Sequence, residues 1–299
     1  MLTEMCKKKI LLTGNGSYIG KSFIKWLSKW GKLYFVDEIS VRGNEWKDYD
    51  FSHYDVVVHL AGIAHVSTNP EMEELYYKVN RDLAIEVANK AKLEGIQQFI
   101  FMSSIIIYGE DGKIGESRVI SKETEYAPTN FYGQSKLEAD LAIQKMMTDS
   151  FKTMVIRTPV VYGPNCKGNF PRLVKLAEKS IVFPNIKNEK SMIFIDNLCE
   201  FMRIIIEQKS HGVTFPQNKE YVSTTSIIEV AAKILNKRLF TTTIANVPIK
   251  LLSKRLNYIN KIFGNKVYDK SLSDDFNGKY LVADFEKSMK LTLGTHTVE

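Results

Sequence analysis

Tyr132 and Lys136 stand four residues apart in the stretch "FYGQSK" (131–136). On a helix this spacing places both side chains on one face. An ammonium group beside a phenol favours the phenolate, so we expect Lys136 to lower the pKa of Tyr132. A phenol prepared in this way can take a proton from an alcohol or return one to a carbonyl. Ser104 ends the apolar run "FIFMSS" (99–104) and can hydrogen-bond the same oxygen.

A glycine turn lies far upstream of this pair, in "TGNGSYIG" (13–20). Gly14 permits a tight turn, and Gly20 allows the following helix to pack closely on the sheet. Gly16 stands one place early for the G-x-x-G-x-x-G spacing, and Ser17 takes the middle position, where its hydroxyl could bind a phosphate. A helix N-terminus offers free amides and a positive dipole end to a pyrophosphate. The turn therefore predicts dinucleotide binding, although a β-to-α turn without a ligand has the same composition.

Two charged residues after the second predicted strand bear on the choice of dinucleotide. Asp37 lies where an acid would pair with the ribose hydroxyls of NAD. Arg42 follows closely and could instead hold the 2′-phosphate of NADP. Both cofactors stay open at this point.

Short apolar runs alternate with longer amphipathic ones through the first half of the chain. The runs at 8–14, 32–36, 54–62, 97–104 and 151–159 are predicted strands, and those at 21–30, 70–95 and 132–147 are predicted helices. This alternation indicates an α/β fold, a Rossmann-type doubly wound parallel sheet with a smaller C-terminal α/β substrate lobe. We expect residues 1–165 to form the dinucleotide-binding domain, rejoined by about 191–217, and 166–299 to form mainly the substrate-binding lobe. The segment 37–54 is too short for a full helix and strand, so that unit is abbreviated.

Composition excludes several classes of protein. With 299 residues, 44% hydrophobic and 25% charged, the chain is ordinary for a globular enzyme and shows no membrane-length apolar run. The start "MLTEMCKKKILLTG" leaves no room for a signal peptide, and Cys6, Cys166 and Cys199 are scattered, so we expect a reduced, cytoplasmic protein. No His/Cys cluster has metal-ligand spacing, so no metal is expected. The net charge of +7 is mild and predicts no nucleic-acid partner.

Taken together, the motifs resemble those of the extended short-chain dehydrogenase/reductase family. They occur in the expected order as "TGNGSYIG", "DVVVHLAG", "KVNRD", "SSIIIYG", "NFYGQSK" and "VVYGPNCKGNFPRL", and "NEKSMIFIDNL" extends the likeness to about residue 198. The resemblance is to UDP-sugar 4-epimerases and 4-ketoreductases that work in capsule and lipopolysaccharide synthesis. It implies a nucleotide-sugar substrate, NAD or NADP as cofactor, and a homodimer.

The resemblance also implies roles for individual residues. Tyr132 is the expected acid/base, Lys136 its electrostatic partner and a ribose ligand, and Ser104 the catalytic serine. The cofactor is expected to contact Gly14, Gly16, Ser17, Tyr18, Ile19, Gly20, Asp37, Arg42, Leu60, Ala61, Gly62, Asn80, Tyr132, Lys136 and Pro159. The substrate is expected to contact Ser104, Asn169, Phe170 and Lys190. Lys190 stands where the family usually has arginine. Lysine keeps the positive charge but lacks the bidentate hydrogen bonding of a guanidinium group.

One absence separates the possible reactions. Nucleotide-sugar 4,6-dehydratases carry an acidic pair just after the catalytic Ser or Thr, whereas this chain has Ile105 and Ile106. Hydride transfer at C4 of a UDP-hexose or UDP-N-acetylhexosamine needs only the serine, tyrosine, lysine and cofactor. Epimerisation and reduction of a 4-keto sugar both stay open. The rival from another class is a non-catalytic dinucleotide-binding sensor or assembly factor, against which the complete set of three residues argues.

The segment 247–270 is basic. It carries six Lys or Arg residues and one acid, Asp269, for a charge of +5. Within it, apolar residues recur every three or four positions and predict one amphipathic helix: Ile249, Leu252, Leu256, Ile259 and Phe263. Such a helix can pack on the sugar lobe with a solvated charged face. It could instead contact an anionic membrane or a membrane-bound sugar transferase.

Overall fold

The computed structural model describes residues 7–64 and 69–294. Cys6 lies outside this range. The strands are β1 Lys8–Thr13, β2 Tyr34–Ile39, β3 Val56–His59, β4 Gln98–Ser104, β5 Val119–Ile120, β6 Lys152–Thr158, β7 Val160–Tyr162, β8 Val182–Pro184, β9 Met192–Phe194, β10 Gly212–Thr214, β11 Phe240–Thr242 and β12 Val267–Tyr268. The α-helices are α1 Tyr18–Leu27, α2 Glu73–Tyr77, α3 Leu83–Leu93, α4 Phe131–Lys145, α5 Phe170–Lys179, α6 Ile195–Glu207, α7 Thr224–Ile234, α8 Asn246–Ser253, α9 Asn257–Phe263 and α10 Phe285–Leu293.

The chain divides into two compact units. The first comprises the described residues up to Gly109, with Tyr126–Thr158 and Leu198–Phe215; the second comprises Glu110–Glu125, Pro159–Asn197 and the described residues from Pro216 onward. The second unit thus includes 110–125 and 159–165, which the sequence-based boundary assigned to the first.

A six-stranded parallel sheet in the order β10-β6-β4-β3-β1-β2 forms the centre of the first unit. The predicted fold class is confirmed. Strand order reverses at β1, where β2 and β3 pair on opposite sides, and ligands of such sheets bind at the carboxyl ends of the strands beside this reversal. The predicted abbreviation is also present, since a single 3₁₀ turn, Glu45–Lys47, lies between β2 and β3.

The core of the first unit is built from near-continuous apolar strands, as the sequence indicated. Leu11, Val57, Phe99 and Val155, one from each of four strands, are fully buried. They pack with small residues of the covering helices, Ala84, Ala88 and Ala139. These small side chains let α3 and α4 lie close to the sheet. The first turn of α4 is thereby placed near the ends of the strands.

The second unit contains three short parallel strand pairs, β5 with β12, β7 with β9, and β8 with β11. Helices α5, α7, α8, α9 and α10 belong to this unit. Helix α7 begins at Thr224, because Ser223 is its N-cap and forms a capping box with Ser226.

Two predicted helices are interrupted. Residues 70–95 form a 3₁₀ turn, α2, a π-helical turn at Lys78–Asp82, and α3, which ends in a Gly95 turn with φ of 79°. The single helix predicted over 249–263 is instead α8 and α9, because Leu256 adopts an extended backbone and the Asn260 side chain donates to the Ser253 carbonyl at the end of α8.

Candidate active site

The glycine turn joins β1 to α1 at the point where the strand order reverses. Gly14 has φ of 105°, and a Cβ placed there would lie 2.7 Å from the amide nitrogen of Ala61. A side chain at this position would therefore be strained and would collide with the end of β3. Gly16 also has a positive φ, of 78°. The backbone of this turn fits a dinucleotide cradle, with a close approach that only glycine allows.

Ser17 caps α1. Its hydroxyl oxygen accepts from the backbone N–H of Gly20 at 3.1 Å, and its backbone is extended. The hydroxyl oxygen thus accepts a hydrogen bond at the start of the helix, and the hydroxyl proton can still be donated to a phosphate. Tyr18 and Ile19 follow in the first turn of the helix, where backbone N–H groups have no intrahelical partner and suit an anion.

The two acids at the end of β2 point in opposite directions, as alternate residues of a strand do. The Asp37 carboxylate accepts from the Tyr54 hydroxyl at 2.5 Å, on the side of the sheet away from the glycine turn. The Glu38 carboxylate accepts from the backbone N–H of Gly16 at 2.8 Å. Glu38 was missed from the sequence, although its place next to Asp37 could have signalled it. Arg42 is exposed, and its backbone N–H donates to Ser40.

Asn80 holds the segment that follows β3. It lies in the π-helical turn, is fully buried, and makes paired hydrogen bonds with the backbone of Ile63: its amide oxygen accepts at 2.9 Å and its amide nitrogen donates at 3.0 Å. A Cβ at Gly62 would lie 3.1 Å from the Asn80 oxygen and 3.4 Å from the Lys136 ammonium nitrogen. The predicted residues Gly62, Asn80 and Lys136 therefore meet in space.

The N-terminus of α4 positions Tyr132. The Asn130 side chain caps the helix by accepting from the backbone N–H of Gly133 at 2.9 Å. A Cβ at Gly133 would come within 3.1 Å of the Ile106 carbonyl, so glycine lets the helix start lie against the turn that follows Ser104. The Tyr132 ring packs edge-on against Tyr76 at 5.9 Å between centroids.

Tyr132 differs electrostatically from the sequence-based expectation. Burial raises its pKa to about 12, while a hydrogen bond with Ser104 acts in the opposite direction and Tyr76 adds to the increase. The predicted lowering is therefore wrong for this structure, because desolvation of the phenolate outweighs the stabilising groups. The influence of Ser104 on this pKa places its side chain beside the phenol, and the shared bond of both residues to one substrate oxygen stays a prediction.

Lys136 is buried and donates to the Met102 carbonyl at 2.9 Å. Burial lowers its pKa to about 8, and the charge of Asp140 acts to raise it. Asp140 lies one turn further along α4 and forms a buried ion pair with Arg157 at 2.9 Å. The Ser103 hydroxyl also donates to Asp140, at 2.6 Å. These bonds of Asp140 to Arg157 and Ser103 hold α4 against β4 and β6, one turn after Lys136.

The predicted substrate residues other than Ser104 belong to the second unit. Asn169 is exposed at the N-terminus of α5, whereas Phe170 is buried and stacks on Tyr162 at 5.0 Å. Lys190 forms an ion pair with Asp111 at 2.5 Å and donates to the Lys261 carbonyl. Pro159 directly follows β6 and begins the second stretch of this unit.

Burial raises the pKa of the Cys166 thiol, which keeps it protonated and a poor nucleophile. Over the two described ranges, no cluster of three or more His, Cys, Asp or Glu residues could hold a metal ion. None of the helices within those ranges is long and apolar enough to cross a membrane.

Comparison with known proteins decides the family. A family model described as "NAD dependent epimerase/dehydratase family" matches residues 10–221. The chain belongs to this family. The predicted family, enzyme class and dinucleotide cofactor are thereby confirmed.

Individual relatives agree with this membership. The chain is 31% identical over 255 residues to a UDP-glucose 4-epimerase of Vibrio cholerae, covering 77% of this chain and 76% of that one. It is 26% identical over 278 residues to an N-acetyl-alpha-D-glucosaminyl-diphospho-ditrans,octacis-undecaprenol 4-epimerase of Escherichia coli O157:H7, covering 86% and 81%. Its fold matches the solved structure of a UDP-glucuronic acid 4-epimerase from Bacillus cereus in complex with NAD, with a TM-score of 0.73, 20% identity and coverage of 96% and 95%.

Proposed function

We propose that the protein interconverts C4 epimers of a UDP-hexose or UDP-N-acetylhexosamine. The observation that carries this proposal is the set of Ser104, Tyr132 and Lys136 at the end of the sheet beside Gly62. Ile105 and Ile106 stand where a dehydratase would have acids, which favours chemistry confined to C4. The names of the relatives from Vibrio cholerae and Escherichia coli, both 4-epimerases, support the same reaction.

The three side chains divide the proton chemistry. Tyr132 takes the proton of the C4 hydroxyl when the alcohol is oxidised and returns it to the oxygen when the ketone is reduced. Because the pKa of Tyr132 is raised to about 12, the phenol is its resting form, ready to donate. Ser104 shares a hydrogen bond with the phenol and is placed to hold the same substrate oxygen. Lys136 supplies positive charge that stabilises the phenolate during oxidation.

The residues of the first unit fit NAD. When bound there, NAD would supply a reversible acceptor for the C4 hydride. Gly14 and Gly16 would admit the pyrophosphate to the turn, and Tyr18 and Ile19 would offer backbone N–H groups. Lys136 would hold the nicotinamide ribose. Leu60, Ala61 and Gly62 would form the backbone wall beside it, and Asn80 would fix that wall through its bonds to Ile63.

Glu38 is the residue that we propose for the adenosine ribose. Its carboxylate lies against the glycine turn, whereas that of Asp37 is engaged by Tyr54. A carboxylate suits ribose hydroxyls and repels a 2′-phosphate, so this placement favours NAD over NADP. Arg42 is the residue that would favour NADP, and it is exposed.

In the second unit we propose that Lys190 contributes to binding the diphosphate. Two ammonium groups face one carboxylate there, because both Lys190 and the buried Lys266 lie within ion-pair distance of Asp111. This surplus of positive charge suits a substrate diphosphate. Asn169 is exposed and able to hydrogen-bond a ligand, while the buried Phe170 ring supports α5 through Tyr162.

The second candidate reaction is reduction of a 4-keto UDP-sugar, since the same three side chains serve it. The carboxylate at Glu38 weighs against a freely exchanging NADPH and hence against this candidate. We further propose a homodimer, a cytoplasmic location and a role in surface polysaccharide synthesis. Family resemblance supports these three proposals, and mass measurement in solution tests the dimer.

A panel of UDP-sugars incubated with and without added NAD(P)H tests the proposed reaction. Epimer formation without added reductant is the expected result. Conversion only of 4-keto sugars, and only with NADPH, would select the reductase, and no binding of any dinucleotide would contradict both candidates.

A further inference from the structure

Exposed apolar side chains lie on or beside three elements of the second unit, β8, β11 and α8. Val182 and Phe240 pair in register on β8 and β11 and are 57% and 63% exposed. Ile244, just before α8, is 88% exposed, and Val247 and Leu251 on α8 are 69% and 60% exposed. Single exposed apolar residues are common, but a continuous group of large ones marks an interaction surface. These five residues are the apolar face.

The three elements that carry the apolar face are bonded to one another. The Asn185 backbone N–H at the end of β8 donates to the Thr242 carbonyl at the end of β11. The Asn246 side chain at the start of α8 donates in turn to the Asn185 carbonyl at 2.8 Å. Val247 and Leu251 are four residues apart and share one side of the helix.

The stretch of chain that carries β11 and α8 is strongly basic. Residues 230–268 contain no Asp or Glu but eight Lys or Arg: Lys233, Lys237, Arg238, Lys250, Lys254, Arg255, Lys261 and Lys266. This segment alone therefore carries +8, more than the +7 of the whole chain. Lys237, Lys254 and Arg255 are exposed and flank β11 and α8 in sequence.

We propose that the apolar face docks on an anionic lipid bilayer, with α8 lying in the headgroup layer and the flanking cations on the lipid charges. Aliphatic side chains projecting beside lysines and arginines form the pattern of interfacial helices. A second copy of the chain fits less well, because a symmetric contact would bring the two basic segments together. This docking goes beyond the proposed epimerase activity and does not rest on it.

Sedimentation with vesicles tests the docking on the full chain. The probes are vesicles of phosphatidylglycerol and phosphatidylcholine in equal parts, and vesicles of phosphatidylcholine alone. We expect binding to the anionic vesicles only, weakening as salt is added. Because each cation near such a surface is worth about a fivefold factor, the triple variant Lys237→Gln, Lys254→Gln, Arg255→Gln should bind about a hundredfold more weakly.

A second variant tests the apolar half. Ile244→Ser, Val247→Ser and Leu251→Ser together should abolish retention while leaving turnover of a soluble UDP-sugar unchanged. Leu93→Ser, a change at an 87% exposed apolar residue of α3, is the matched control and should bind like the unaltered chain. Absence of binding to anionic vesicles, or equal binding by the triple variants, would overturn the proposal. A change of the chain from dimer to monomer in the serine variant, without lipid binding, would assign the face to a second copy instead.

Discussion

The Glu38 carboxylate accepts a hydrogen bond from the backbone N–H of Gly16, with 2.8 Å between the heavy atoms. An acid at the end of β2 is thereby fixed against the turn proposed to receive the pyrophosphate. The neighbouring Asp37 faces the other side of the sheet and holds Tyr54. Cofactor preference therefore depends on which of two adjacent acids is altered.

Glu38→Gln should weaken NAD binding about ten- to hundredfold, the range for losing a hydrogen bond to a charged group. It should also narrow the preference for NAD over NADP, because the charge that repels the 2′-phosphate is gone. Titration of both dinucleotides by calorimetry measures the two effects. Asp37→Asn is the matched control, and a larger loss of NAD affinity there would return the role to Asp37.

Tyr132→Phe should lower kcat by about 10²–10⁴-fold, the usual contribution of a positioned acid–base group. NAD binding should persist, because the ring and its packing against Tyr76 are kept. Steady-state rates are compared with those of Tyr77→Phe, which removes a hydroxyl from a helix outside the site. Equal activity of Tyr132→Phe and the unaltered enzyme would refute the proposed chemistry.

The pKa of Lys136, lowered to about 8, predicts a loss of activity as pH rises through that value, since the ammonium form is the active one. Asp140 raises this pKa, so Asp140→Asn should lower it further and move the alkaline limb of the pH–rate profile to lower pH. Gln144→Ala removes a hydrogen bond to Asp140 but keeps its charge, and should leave the limb in place.

The same Asp140→Asn change carries a stability cost. Removing one member of the buried pair leaves the Arg157 guanidinium uncompensated, for which about 3–5 kcal/mol is typical. Denaturant unfolding measures this cost and sets the temperature at which the pH profile is recorded. An alkaline limb that stays fixed in a folded Asp140→Asn enzyme would show that Asp140 acts on structure alone.

Lys190→Met should raise the KM for the UDP-sugar about ten- to hundredfold, as expected for a lost charge-assisted contact, with a smaller effect on kcat. The exposed Lys187 lies three residues earlier, and Lys187→Met is the control for a change of net charge. Kinetics with varied UDP-sugar separate KM from kcat. Matching values for the two variants would exclude Lys190 from the diphosphate site.

Much of the site follows from sequence because its chemistry depends on spacing within single elements. The Tyr132–Lys136 interval and the Gly14 turn each lie in one stretch of chain, and their structural settings match the expectation. The family resemblance indicated Asn80 without giving its role. In the structure its side chain holds the Ile63 backbone through two hydrogen bonds.

Other features depend on tertiary contacts that one-dimensional patterns do not encode. Whether Asp37 or Glu38 faces the turn depends on strand register, where a shift of one residue exchanges the faces. The raised pKa of Tyr132 reflects burial by neighbours distant in sequence, which outweighs the expected effect of lysine. The break between α8 and α9 depends on the Asn260 bond to Ser253, which the apolar periodicity over 249–263 does not encode.

The central claim is that one active site removes the C4 hydride and returns it to the opposite face. UDP-glucose carrying deuterium at C4, incubated with purified protein and no added dinucleotide, tests this most directly. The account predicts that mass and proton spectra show UDP-galactose that keeps the deuterium at C4. Product with the label replaced by solvent hydrogen, or no epimer from any UDP-hexose or UDP-N-acetylhexosamine similarly labelled, would contradict it.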